Sequence, residues 1–66
     1  MDKLKNYVTQ ELGEHISQHD IDIICDYIKA EDNISLNEFA QELDFEDGEL
    51  DYIFFEGVEI YESIWM

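Results

Sequence analysis

Sixty-six residues with 45% hydrophobic content are enough for one domain, but a chain this short buries only roughly 60% of its unfolded surface and leaves no room for an enzyme's deep pocket. Three basic against eighteen acidic side chains leave a net charge of −15, which excludes attraction to phosphates or to anionic lipid. The lone cysteine, Cys25, excludes an internal disulfide or a zinc framework and suits a reducing cytoplasm, and no segment approaches the roughly 20 apolar residues that span a bilayer.

Leu4, Tyr7, Val8 and Leu12 recur on one helix face, and Gly13 follows where a helix takes a left-handed cap, which predicts a first helix over 2–12. The opening MDKLKNYVTQEL lacks the apolar run of a signal peptide. In ISQHDIDIICDYIKA, Ser17 with Asp20 three residues on marks a helix start, and Ile16 can staple against Ile21. Ile21, Ile24, Cys25 and Ile28 form the apolar stripe of this second helix, in which Cys25 reads as a small core residue rather than a reactive thiol. EDN closes it. ISLNEF repeats the start signal, with Ser35 and Glu38 as a capping box and Ile34 stapled against Phe39, and a third helix runs through Leu36, Phe39, Ala40 and Leu43. Asp44 to Asp47 make a turn, and Leu50, Ile53 and Phe54 resume helical spacing in a fourth helix over 47–56 that Gly57 ends or kinks. In the tail, 58–66, Tyr61, Ile64 and Trp65 continue the helical stripe while Val58 and Ile60 alternate like a strand; a short helix is favoured. Nine aromatics and regularly spaced Ile and Leu argue against disorder, and no proline, linker or repeat divides the chain. The expected architecture is a single acidic all-α domain over 1–66, a small bundle of four short helices with a short C-terminal helix or strand.

Phe39, Ala40, Leu43, Phe45, Leu50 and Ile53, within residues 35–57, are spaced so that the segment resembles the helix-turn-helix family. The matching features are a small Ala where the second helix crosses the first, an apolar residue in the turn, and two apolar anchors in the second helix. Asp44 stands where the family has a turn glycine, and Asp tolerates the left-handed conformation better than most residues. The resemblance implies a fourth helix laid in the major groove, with Glu46, Asp47, Glu49, Asp51, Tyr52, Phe55 and Glu56 at its exposed positions. Duplex DNA carries about one negative charge per 1.7 Å and is contacted by Lys, Arg or neutral donors, so this helix would be repelled and no direct nucleic-acid binding is expected.

Lys3, Lys5 and Lys29 all precede residue 30, whereas residues 31–66 hold twelve of the eighteen acids and no base, a charge of −12. A solvated face accounts for a modest excess; at this density self-repulsion costs stability, which favours a use for the charge. Carboxylates three or four residues apart on a helix lie about 5–6 Å apart. Asp44, Asp47 and Asp51, with Glu42, Glu46, Glu49, Glu56, Glu59 and Glu62 around them, are therefore expected to form a ladder of negative points along a rigid rod. Tyr52, Phe55 and Trp65 either anchor a partner inside this rim or pack against helix one and the tail.

In charge and size the chain resembles the small acidic DNA-mimic proteins of phages and mobile elements, which share no sequence motif. That resemblance implies a cytoplasmic, non-enzymatic inhibitor that occupies the basic nucleic-acid-binding surface of a host protein, such as a nuclease, polymerase, repair enzyme or sliding clamp. The alternative is a protein-interaction module, or an antagonist of a transcription or replication factor, acting through apolar contacts of helix four and the tail. Stacking of Tyr61 and Trp65 would support a homodimer, and the same residues can instead close the core. His15 and His19 with Glu11 would share one face of a continuous helix, but Gly13 and the Ser17 cap break it, so no metal site is expected. Gly48 as the sixth residue of a calcium loop would put Leu43 and Phe54 at ligand positions, which excludes an EF-hand. With no nucleophile–base pair and no phosphate-cradling glycines, neither catalysis nor a cofactor is expected.

Overall fold

The computed structural model describes residues 2–64, and each of its helices can be traced to local signals. Helix α1 (Lys3–Leu12) starts at Asp2, whose carboxylate accepts the Lys5 N–H at 3.0 Å, and it buries Leu4, Val8 and Leu12 at four-residue spacing. Gly13 is not a left-handed cap: its φ is −62°, and it donates its N–H to the Thr9 carbonyl at 2.7 Å. A Cβ there would sit 2.5 Å from that oxygen, so the position requires glycine for space rather than for handedness.

Helix α2 (Gln18–Lys29) is capped as expected, with the Ser17 hydroxyl accepting the Asp20 N–H at 3.3 Å. It ends in a Schellman closure, in which Glu31 donates to Ile28 O and Asp32 to Tyr27 O, both at 3.0 Å, with Glu31 left-handed at φ 55°. That closure leaves Asp32 pointing its carboxylate at the next helix, where it accepts the Ser35 N–H at 3.1 Å. Helix α3 (Asn33–Glu42) therefore begins at Asn33 under an Asp32 cap, and the expected Ser35–Glu38 capping box does not form the start. Asp caps as well as Ser. Ile34, expected as a staple, lies in the first turn with 75% of its surface exposed. Bonds from the Ser35 amide and hydroxyl hold the Asp32 carboxyl below the usual carboxylate range.

A second Schellman closure ends α3: Asp44 donates to Gln41 O at 3.1 Å and Phe45 to Ala40 O at 3.0 Å, with Asp44 at φ 71°. The left-handed turn thus forms with Asp in place of glycine. After the turn, α4 (Asp51–Ile64) starts four residues later than predicted, because Gly48 at φ 78° breaks the path. Gly57 does not end it. The helix runs through Gly57 to Ile64, so the favoured helical tail is observed as a continuation of α4 and the strand alternative is not; Trp65 and Met66 lie outside the described residues.

Among the described residues this is an all-α small bundle of four helices. Both α2 and α4 touch every other helix, while α1 and α3 flank them without meeting. Ile21, Ile24 and Ile28 of α2 sit at the centre with Leu4, Val8, Leu36, Ala40 and Ile53 around them, and the Tyr27 and Phe39 rings meet at 6.2 Å across α2 and α3. Gly57 lies where α4 crosses α1 and α2: a Cβ there would come within 2.9 Å of Ile28 Cδ1 and 3.1 Å of Leu4 Cδ1. Among the described residues no helix is long and apolar enough to cross a membrane.

Candidate interaction surface

The expected continuous ladder of carboxylates is divided into two parts. Glu42 is exposed in the last turn of α3, and Asp44, Glu46, Asp47 and Glu49 are exposed in the connection over 43–50, not on a helix. The two left-handed residues, Asp44 and Gly48, prevent a rod from forming there. This turn is shaped by its own polar groups. The Glu49 carboxylate accepts the Glu46 N–H at 3.0 Å, Asn37 of α3 donates its amide N–H to the Asp47 carboxylate, and the Asn37 carbonyl accepts the Gly48 N–H at 3.0 Å. Asn37 is thus the clip between α3 and the turn, and no periodic signal marks it, because its partners are ten and eleven residues away. The outer face of α3 and this turn enclose an open groove of about 530 Å³ lined by Ile34, Asn37, Gln41, Asp47, Gly48 and Asp51 among others.

The second part is a true helical row. On α4, Tyr52, Phe55, Glu56, Glu59 and Glu62 are exposed, while Ile53, Phe54 and Gly57 are buried on the opposite side. Asp51, expected on the exposed face, is half-buried at the first position of the helix. Tyr52 and Phe55 are 55% and 62% exposed, so packing against the rest of the fold does not account for them, although the Phe55 and buried Phe54 rings form a T-shaped pair at 5.8 Å. Helix α1 packs against α4, and its Tyr7 is half-buried, with a hydroxyl pKa pushed up first by burial and then by the charges of Glu11 and Glu56 and by Tyr52.

Acids at the helix starts, Asp2, Asp20, Asp32 and Asp51, suit the helix dipoles, but those at three helix ends oppose them. Helix C-termini are negative, yet Glu11, Glu42 and Glu62 occupy the last turns of α1, α3 and α4, where none of the three has a basic residue. The ion pair present among the described residues, Lys5 with Asp22 at 3.0 Å, joins α1 to α2 and touches no carboxylate of residues 42–62. Its hydrogen bond and charge raise the Lys5 pKa.

The chain matches no family model, no curated protein and no solved structure. Its chemistry must be read from the surface itself. Cys25 is buried, and burial, aided by Asp2, pushes its thiol up to about 11, so it is not an activated nucleophile. His15 is exposed in the break between α1 and α2 and His19 in the first turn of α2, and among the described residues no three metal-ligating side chains gather. What the surface over residues 42–62 offers is a dense field of acceptors with no basic partner among the described residues, interrupted by two exposed rings.

Proposed function

We propose that this chain is an acidic mimic of nucleic acid that binds, and so inhibits, the basic nucleic-acid-binding surface of another protein in the cytoplasm. The observation that carries the reading is the placement of the carboxylates of residues 42–62. All but the half-buried Asp51 are exposed, none has a basic partner among the described residues, and Glu42 and Glu62 stand at helix ends where they oppose the dipole; Asp47 and Glu49 shape the turn, but fold stability does not explain the rest. A groove built for phosphates would meet two sets of negative points, one on the turn and one along α4. The helix-turn-helix resemblance of residues 35–57 fits this role as a scaffold without the charge to bind DNA itself, and the lone buried thiol suits a reducing compartment.

The test is capture from a bacterial lysate with the tagged chain at low and high salt, followed by competition on the purified partner with duplex DNA. Mimicry expects a nucleic-acid-binding partner that salt and DNA both displace, because exposed charges are screened within about 8–10 Å at moderate ionic strength. Retention under both conditions would overturn it. The exposure of Tyr52 and Phe55 supports a second reading, an apolar interaction module on α4. In that case Tyr52→Ala or Phe55→Ala damages capture more than neutralising a pair of carboxylates; a larger effect of neutralisation counts against it.

A further inference from the structure

We infer that residues 51–59 of α4 form a surface for arginine side chains, in which Tyr52 and Phe55 present ring faces to a guanidinium while Asp51, Glu56 and Glu59 receive its N–H donors. The inference rests on the proposed mimicry and specifies how the basic partner is held. On a helix, neighbours three and four residues apart share a face, so Phe55 lies between Asp51 and Glu59, and Tyr52 lies between Phe55 and Glu56. Both rings are more than half exposed, and no base of this chain pairs with these carboxylates among the described residues.

A field of carboxylates alone attracts lysine and arginine alike. Rings set among carboxylates discriminate, because the planar, weakly hydrated guanidinium stacks on an aromatic face while its edge pairs with an acid, whereas a compact ammonium keeps its water. A second copy of this chain is disfavoured as the occupant. At −15 per chain and with three lysines, all before residue 30, it would bring acids to acids. The occupant of matching chemistry is an arginine-bearing strand or loop of a nucleic-acid-binding protein.

The full chain is titrated into two fluorescein-labelled peptides of equal length and charge, one of alternating Arg and Ser, the other of alternating Lys and Ser, and anisotropy is read at low and moderate salt. The arginine peptide should bind about five-fold more tightly, and Tyr52→Ala/Phe55→Ala should remove that preference while leaving the lysine peptide's affinity nearly unchanged. Because variants can perturb the fold, amide shifts of the unaltered chain are mapped as well, and the arginine peptide should move residues 51–59 more than the lysine peptide does. Equal affinities, or a preference that survives loss of both rings, would overturn the arginine inference. Tight, salt-sensitive binding of both peptides alike would overturn it while leaving mimicry standing, and binding of neither would remove both.

Discussion

Two acidic residues, Glu31 and Asp44, occupy the left-handed positions that close α2 and α3. Glycine takes this conformation without a Cβ clash, whereas an ordinary L-residue incurs about 1–2 kcal/mol. Asp is among the more tolerant residues, so Glu31 carries the larger strain, and it also places a negative residue just past the negative end of α2. Glu31→Gly is expected to raise stability by about 0.5–1 kcal/mol, since part of the relief is offset by the greater freedom of glycine in the unfolded chain. Urea unfolding monitored by circular dichroism checks this; a lower midpoint would mean that the Glu31 side chain makes contacts worth more than its strain. The same residues show the limits of reading a sequence locally. Asp44 was legible as a tolerated left-handed turn, while Glu31 carried no such signal. Its conformation follows from Asp32 serving both as the last residue of one closure and as the cap of the next helix.

Helix α4 is one element because Gly57 is a packing position rather than a stop. The sequence shows only a glycine within a helical pattern, which reads equally as an end, a kink or a close approach, and the deciding atoms belong to Ile28 and Leu4, far away in the chain. Both neighbours are fully buried and cannot swing away. In Gly57→Ala, the helix gains about 1 kcal/mol of intrinsic preference. Overpacking against a closed core costs about 1–3 kcal/mol, so a net loss of about 1 kcal/mol is expected. Ile28→Val, which deletes the Cδ1 that lies 2.9 Å from the added methyl, should make the alanine less harmful in the double variant than in the single one. Strictly additive effects in chemical unfolding would place the strain elsewhere. The late start of α4 has a related cause: Leu50 and Ile53 keep helical spacing and are both buried, so periodicity alone does not reveal that the chain reaches Asp51 through a left-handed Gly48 and an Asn37 clip.

At the scale of the whole molecule, a charge of −15 is confined to a body of 34 × 22 × 16 Å. The Debye length is about 30 Å at 0.01 M salt and about 8 Å at 0.15 M, so at low ionic strength nearly every carboxylate feels the others. The thermal midpoint is therefore expected to rise by several degrees between about 0.01 M and 0.5 M sodium chloride, as screening relieves self-repulsion in the compact state. Scanning calorimetry across that range measures it, and a flat or falling midpoint would show that the repulsion is already relieved within the fold. The proposed partner complex should respond in the opposite direction, weakening with salt while the free chain grows more stable. Opposed salt dependences are what a surface selected for binding, against the interest of the fold, would produce.

Composition and spacing alone determined the helical class, the apolar stripes of all four helices and the acidic character of the C-terminal half, because those depend on side-chain type and on a local period of 3.6 residues. Tertiary structure decided where α3 and α4 begin, why Gly57 is glycine, and that Tyr52 and Phe55 stand in solvent beside Glu56 and Glu59. The start of α3 turns on how one closure hands its last residue, Asp32, to the next helix, which a count of apolar spacing does not register; the others turn on contacts between residues distant in the chain: the Asn37 clip on Gly48, how closely α4 crosses α2, and how much of α4's surface α1 and α2 are able to cover.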